Sequence, residues 1–140
     1  MHRARWTPDG IELVEAEPGP IPDGWVRLQV TGCGICGSDL HVYRGMREGR
    51  LQPTEYAVPG HEIAGTLLAG TPGMDDVVYA VEPWVNCRDC APCVRGDITV
   101  CESGQLLGIS IGGGLASVVD VPRRLLHRSR SRAAARSRTP

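Results

Sequence analysis

The 140-residue sequence has no phenylalanine and no lysine, and aromatic residues make up only 4% of it. It also lacks any apolar run of about 18 residues, the minimum for a transmembrane helix. The basic start, residues 1–6, precedes no apolar stretch of the kind found in secretory signals. We therefore expect a cytoplasmic protein with no membrane contact, and the length predicts one folded domain.

Acidic residues are absent from the last part of the chain. Residues 1–122 contain all 16 acids and have a net charge of −8, whereas residues 123–140 contain seven arginines and have a net charge of +7. The second segment is a low-complexity mixture of Arg, Ser and Ala, which cannot bury enough apolar surface to fold. We predict an acidic folded body over 1–122 and a basic, disordered tail over 123–140.

The body shows short strand patterns separated by turns that draw on 18 glycines and 11 prolines. Residues 25–30 alternate apolar and polar side chains, as expected of a half-buried strand. Ser38 and Asp39 resemble a helix cap before a short helical turn that ends near Tyr43. Further strands are predicted at 11–15, 63–69, 77–81 and 115–121. The pattern indicates a mostly β fold with short helices, in the form of a partly open barrel.

Four of the six cysteines are clustered. They follow a C-x2-C-x2-C-x7-C pattern in the polar segment 84–103: Cys87, Cys90, Cys93 and Cys101. Four thiolates at this spacing can close a tetrahedral zinc site and so order the segment. The alternatives are two disulfides or free thiols, disfavoured by the absence of a secretory signal and by thiol reactivity. A closed four-thiolate site predicts a structural role.

A second set of possible ligands is dispersed. Cys36 lies where a strand leads into the helical turn, and His61 and Glu62 follow about 25 residues later. Mixed Cys, His and carboxylate ligands are typical of open, catalytic zinc sites. Ser38 and His41 would then be placed to relay a proton to solvent. The spacing leaves open that Cys36 is a buried apolar residue, His61 a core histidine and Glu62 a solvated charge.

Cys33 forms a C-x2-C pair with Cys36, which could be redox-active or a competing zinc clasp. Neither a βαβ pattern nor a second cysteine pair outside the 84–103 segment accompanies this pair. We therefore expect Cys33 to be a buried thiol that takes no part in either cluster.

Three motifs together resemble those of the zinc-dependent medium-chain alcohol dehydrogenases. They are the segment 34–41 (GICGSDLH), the triplet 60–62 (GHE) and the four-cysteine segment, in this order. The motifs are most similar to those of the polyol, butanediol and threonine dehydrogenase branch, and the resemblance covers about residues 6–122. It implies a GroES-like, partly open β-barrel with an inserted zinc lobe at 84–103.

The resemblance implies a role for each candidate residue. Cys36 and His61 match ligands of the family's catalytic zinc, and Glu62 matches a ligand or a close neighbour of that ion. Ser38 and His41 match the family's proton-relay positions. The implied reaction is oxidation of a zinc-bound primary or secondary alcohol, or of a polyol, by hydride transfer to NAD or NADP. The ligands of the structural zinc are matched by Cys87, Cys90, Cys93 and Cys101.

The resemblance also implies a nicotinamide-binding Rossmann domain, for which this sequence has no room. Glycines 112–114 with Ser117 form part of a G-x-G-x-x-G motif, but no βαβ unit follows and no acid lies beyond Asp120. We expect a glycine turn between two strands there. The chain is accordingly expected to be the first part of an enzyme, and to neither bind NAD(P) nor turn over alcohol alone.

The tail suggests how this arrangement arose. The abrupt change to Arg, Ser and Ala near Ser129, in a chain without lysine, is what a frameshift in a GC-rich gene would produce. We hypothesise out-of-frame translation from about Ser129. One alternative is a non-catalytic zinc module that acts with a partner. The other is a nucleic-acid binder that uses the basic tail, where no aromatic residue is present for stacking.

Loss of a domain contact has a further consequence. In the resembling family the barrel packs one face against the cofactor domain, so this chain is expected to expose an apolar patch. We therefore expect it to self-associate into homo-oligomers or to aggregate.

Overall fold

The computed structural model describes residues 1–7, 10–48, 58–68 and 77–129. Two short 3₁₀ turns occur in this part of the chain, at Ile98–Val100 and Arg123–Leu125. Its strands and α-helices, in chain order, are β1 (His2–Thr7), β2 (Gly10–Glu15), β3 (Trp25–Gly34), α1 (Gly37–Arg47), β4 (Glu62–Leu67), β5 (Val78–Val81), β6 (Trp84–Val85), α2 (Ala91–Arg95), β7 (Gln105–Leu106), β8 (Val118–Pro122) and β9 (Leu126–Arg128). Neither α-helix approaches the length and apolar character of a bilayer-crossing helix.

The centre of the fold is a five-stranded antiparallel sheet with the order β8-β3-β4-β5-β9. The alternation in β3 arises because one face of the sheet is buried: Leu28 is fully buried, while its neighbour Gln29 is exposed. The prediction of a mostly β fold with short helices is thereby confirmed. The buried core consists of Leu28, Ile63, Val81, Leu107, Val119 and Val121.

The strand β1 was not predicted from the sequence. It pairs with β2 as an antiparallel hairpin, and an isolated bridge joins Arg3 to Ala116 in the segment that leads into β8. Ala4 and Trp6 are its buried positions, and the arginines on either side of Ala4 obscure the apolar pattern. Trp6 packs in a small cluster with Met46 of α1. The hairpin therefore supports the helix that carries the candidate relay residues.

Helix α1 is longer than the predicted turn and begins earlier. Its N-cap is Cys36 rather than the predicted Ser38–Asp39 pair, and Asp39 occupies the third helical position. The Asp39 carboxylate accepts a hydrogen bond of 2.8 Å from the Cys36 amide, which pairs one of the free N–H groups at the helix start. The aspartate thus caps the helix from inside its first turn.

The predicted disordered tail from Arg123 differs from the structure over residues 123–129. Arg123–Leu125 forms a 3₁₀ turn, and β9 then adds to the edge of the sheet beside β5. The physical reason is Leu125, which is 1% exposed and whose carbonyl accepts from the Glu82 amide. The remaining tail residues, 130–140, lie outside the described residues, as does residue 69 at the end of the strand predicted at 63–69.

The glycines at 112–114 form a close backbone crossing. The Gly113 amide donates to Val58 O and the Gly114 amide to Gly60 O, both at 2.8 Å, and Gly60 itself has a φ of +92°. Strand β8 follows these glycines, with no helix in the described residues between them. The glycines thus form an irregular connection with a bend at Gly114, and they hold the segment that leads into His61.

Replacement of Gly113 by alanine should destabilise this crossing. A Cβ atom there would lie 2.1 Å from Gly60 O and 2.7 Å from Val58 O, both of them backbone atoms. We expect a loss of about 2–3 kcal/mol in the free energy of unfolding, measured by urea denaturation. Gly112→Ala is the matched control, because nothing lies within 4 Å of a Cβ at Gly112. Equal losses in the two variants would contradict the crossing as the cause.

Candidate metal centres

The four clustered cysteines converge in the lobe between β6 and β7. Sulfur–sulfur distances are 3.9 Å for Cys87–Cys93, 3.9 Å for Cys90–Cys101 and 3.5 Å for Cys87–Cys101. All four are free thiols, so the disulfide alternative is not realised. Zinc–sulfur bonds of about 2.3 Å in a tetrahedron require sulfur atoms roughly 3.8 Å apart. The lobe therefore has the donor set and the spacing of a closed zinc site.

The backbone of the lobe directs its amides at the sulfur atoms. The Cys87 amide donates to Cys101 Sγ and the Cys90 amide to Cys87 Sγ, each at 3.4 Å. Cys90 is also the N-cap of α2. On the outer side, the Trp84 indole N–H donates to Ile98 O at 2.6 Å and ties the 3₁₀ turn to β6. These contacts pre-organise the thiols without a hydrophobic core.

The protonation of the thiols is uneven. The hydrogen bond from the Cys87 amide lowers the pKa of Cys101 to about 6, against the desolvation of its sulfur. Desolvation raises the pKa of Cys93 to about 12. A metal ion binds thiolates only, so its binding at neutral pH would displace a proton from Cys93. The affinity of the four-cysteine cluster for a metal ion should consequently fall as the pH is lowered.

Cys36, His61 and Glu62 also come together, with their ligand atoms within 4.8 Å of one another. The register between β3 and β4 pairs Gly34 with Glu62, which brings the start of α1 beside the start of β4. Cys36 and His61 are half-buried, whereas Glu62 is exposed. The spacing left the relation among these residues open, and the fold places them in one cluster. Three ligands and an open side are typical of a catalytic zinc site.

The His61 ring lies between two side chains of α1. Its Nε2 is 3.2 Å from Ser38 Oγ, and its Nδ1 is 3.5 Å from Asp39 Oδ1. Both Nδ1 and Oδ1 are buried and lack a hydrogen-bond partner within the described residues. A proton on Nδ1 would face the carboxylate, and Nε2 would then be the nitrogen that binds a metal in place of its contact with Ser38. A carboxylate behind a ligating histidine is the arrangement that orients such rings.

Asp39 is a residue of this cluster that was not predicted from the sequence. Its side chain is only 6% exposed, and it contacts both the Cys36 amide and the His61 ring. The aspartate was assigned to helix capping alone, because its distance from His61 depends on how α1 docks against β4. The only signal in the sequence was its position three residues after Cys36.

His41 and Cys33 are the other two residues that the sequence singled out near this site. His41 is exposed on α1, one helical turn beyond Ser38. Cys33 is half-buried and lies in neither ligand cluster of the described residues. Burial raises the pKa of the Cys33 thiol, and the negative charge of Asp39 adds to that effect. Cys33 therefore lies apart from the cluster that contains Cys36.

The sequence is similar to that of several dehydrogenases and dehydrogenase-like proteins. An uncharacterized zinc-type alcohol dehydrogenase-like protein of Haemophilus influenzae is 36% identical over 124 residues, which are 85% of this chain and 35% of that protein. The L-threonine 3-dehydrogenase of Pyrococcus abyssi is 34% identical over 120 residues, 81% of this chain and 34% of the enzyme. The chain thus spans about a third of the length of these relatives.

A solved structure shows the same fold. The crystal structure of a short chain alcohol dehydrogenase (rspB) from Escherichia coli CFT073, complexed with NADH, superposes with a TM-score of 0.77 at 32% identity. The match covers 91% of this chain and 38% of that chain. The family model of the alcohol dehydrogenase GroES-like domain matches residues 22–131. Since that model covers most of the sequence, the predicted GroES-like fold is confirmed, and the chain belongs to the alcohol dehydrogenase GroES-like domain family.

Proposed function

We propose that this chain supplies the zinc-binding and alcohol-binding part of an NAD(P)-dependent alcohol or polyol dehydrogenase. The observation that carries the proposal is the convergence of Cys36, His61 and Glu62 beside Ser38. The four-thiol cluster forms a second, separate group of ligands. One open three-ligand cluster and one closed four-ligand cluster are the donor sets of a catalytic and a structural zinc.

At the mixed cluster, a zinc ion would polarise the substrate hydroxyl and lower its pKa, and NAD(P) would accept the hydride. The residues of the chain would hold the alcohol and carry its proton away. Ser38 Oγ lies 3.2 Å from the ring nitrogen of His61 that would face a metal, so it could accept the proton of a substrate hydroxyl while it gives up its own. His41, exposed one turn further along α1, can pass that proton to solvent.

The cofactor would bind elsewhere. The strand pairs of the described residues are antiparallel, whereas a dinucleotide-binding unit requires parallel strands joined by a helix. The NADH-bound relative contains a chain more than twice as long as the matched region. We therefore propose that these residues bind zinc but not NAD(P), and that turnover needs a nucleotide-binding domain in addition.

Zinc analysis and a turnover assay of the purified chain test this proposal. We expect one zinc ion in each cluster, and loss of the ion from the mixed cluster in Cys36→Ser. We expect the wild-type chain to reduce a panel of ketones with NADH or NADPH no faster than the Cys36→Ser variant does. A wild-type chain that binds no zinc would contradict the proposed metal sites. Turnover above the Cys36→Ser control would contradict the need for a second domain.

An apolar surface beside the mixed cluster supports the need for a further contact. Ile35 is 68% exposed and Leu40 is 49% exposed, on either side of Cys36 in the sequence. Large apolar side chains this exposed next to a site are typical of surfaces that another domain covers. Self-association of the chain remains a prediction, which sedimentation equilibrium over a range of concentrations would test.

A further inference from the structure

We propose that Arg124 is a positioning residue for the four-thiol cluster, and that it acts through the peptide group between Asn86 and Cys87. The inference rests on the proposed zinc site in the lobe. It concerns a contact that fixes the geometry of that site, between Arg124 and Asn86, which are 38 positions apart in the chain.

One peptide group connects the arginine with the cluster. Arg124 donates a hydrogen bond from Nη2 to the carbonyl oxygen of Asn86. The N–H on the other side of the same peptide belongs to Cys87 and donates to Cys101 Sγ at 3.4 Å. Because the peptide group is planar, fixing its C=O direction also fixes its N–H direction. Arg124 therefore sets the orientation of a donor that points at a ligand sulfur.

The acceptor of this bond belongs to a buried residue, although the Arg124 side chain itself is exposed. Asn86 is only 5% exposed, so its carbonyl cannot turn to bulk solvent without movement of the strand end. Its side-chain oxygen Oδ1 is also buried and has no hydrogen-bond partner among the described residues. The surroundings thus offer no spare donor, and loss of Arg124 would leave the carbonyl unpaired or rotate the peptide.

The positive charge of Arg124 also favours the hydrogen bond from the Cys87 amide to the Cys101 sulfur. Four thiolates around a divalent zinc ion carry two excess negative charges, which N–H···S hydrogen bonds partly offset. A guanidinium on the carbonyl polarises the peptide and strengthens the hydrogen bond that the N–H on its far side donates. Cys101 is the sulfur that receives this bond, and it also lies nearest to Cys87 Sγ, at 3.5 Å. The arginine therefore stabilises the part of the cluster around Cys87 and Cys101.

The position of Arg124 is itself fixed by the sheet. It lies in the 3₁₀ turn Arg123–Leu125 between β8 and β9. On one side of it the Arg123 amide donates to Gly24 O at 3.0 Å, and on the other the Glu82 amide donates to Leu125 O at 2.9 Å. The turn is therefore held from both flanks, and the arginine links the lobe to a rigid part of the fold.

The rate of zinc release measures this role without reference to catalysis. We use the full chain with Cys36→Ser, so that the lobe holds the only expected zinc, and follow transfer of zinc to the chelator 4-(2-pyridylazo)resorcinol. Arg124→Met should release zinc about tenfold faster, as expected when an outer contact of a metal ligand is lost. Arg124→Lys should stay close to the parent, because only one N–H contact has to be replaced. Arg128→Met is the matched control, since it removes the same charge from an exposed position of β9.

Cobalt substitution separates positioning from general stability. The thiolate-to-cobalt charge-transfer bands should shift in Arg124→Met and stay in place in Arg128→Met. If Arg124→Met does not fold, Arg124→Gln against Arg124→Lys gives the same comparison. Parent-like release and parent-like spectra in the charge-removing variant would overturn the role of Arg124. A lobe that binds zinc in no variant, the parent included, would instead overturn the proposed function on which the inference rests.

Discussion

Replacing Cys101 by serine is expected to remove the lobe zinc and to destabilise the chain by about 3–4 kcal/mol when free zinc is at a hundred- to thousandfold its Kd. Cys101 lies 3.5 Å from one ligand sulfur and 3.9 Å from another, and it accepts the Cys87 amide. The lobe has few apolar contacts of its own to compensate, since α2 contains no buried residue. For a domain of this size the midpoint of thermal unfolding should fall by roughly 10–20 °C.

Cys33→Ser is the control for this prediction, because Cys33 is a half-buried thiol outside both clusters. It should retain both zinc ions, measured by atomic absorption, and lose only a little stability. Addition of a chelator to the wild type should lower its unfolding midpoint toward that of Cys101→Ser. A Cys101→Ser chain that keeps its zinc and its unfolding midpoint would show that the four thiols do not form a metal site.

Asp39→Ala should weaken zinc binding at the mixed cluster by about 10- to 100-fold, the range found when the partner of a ligating histidine is removed. The aspartate contacts the Cys36 amide at 2.8 Å and lies 3.5 Å from His61 Nδ1, so it positions two of the three candidate ligands. Loss of the cap should also cost about 1 kcal/mol in the free energy of unfolding. Competition with a chelator of known affinity measures the zinc affinity of each variant.

Asp39→Asn divides the two roles of this side chain. An asparagine oxygen can still accept from the Cys36 amide, but the negative charge facing His61 is gone. We expect the asparagine variant to keep the stability of the wild type and to lose most of the zinc affinity that alanine loses. The lobe zinc should be unchanged in both variants. Wild-type affinity at the mixed cluster in Asp39→Ala would contradict the assignment of Asp39 as the residue that orients His61.

Local chemistry was enough to predict the main elements. The alternation at residues 25–30 identified the buried strand β3, because successive side chains of a strand point to opposite faces. The cysteine spacing predicted a lobe with four converging sulfurs, since ligands three positions apart in a short loop can face one ion. The motifs at 34–41 and 60–62 indicated the family directly.

Other elements were mispredicted because their stability comes from distant partners. Strand β1 hides its two buried residues among arginines, and only its pairing with β2 makes it a strand. Residues 126–128 read as part of a disordered basic tail, yet they form β9 because the edge of β5 is available to them. In each case the polar composition describes the exposed face, while the backbone hydrogen bonds and one buried side chain decide the structure.

The sequence by itself determined which side chains could bind zinc and in which fold family they occur. The tertiary structure decided how those side chains are held. Asp39 lies behind His61, Gly113 packs against the segment that precedes His61, and Arg124 contacts the peptide group beside Cys87. Ligand spacing is a local property of the chain and is therefore visible in it. Contacts between residues tens of positions apart depend on strand register and helix docking, which the packing of the whole sheet fixes.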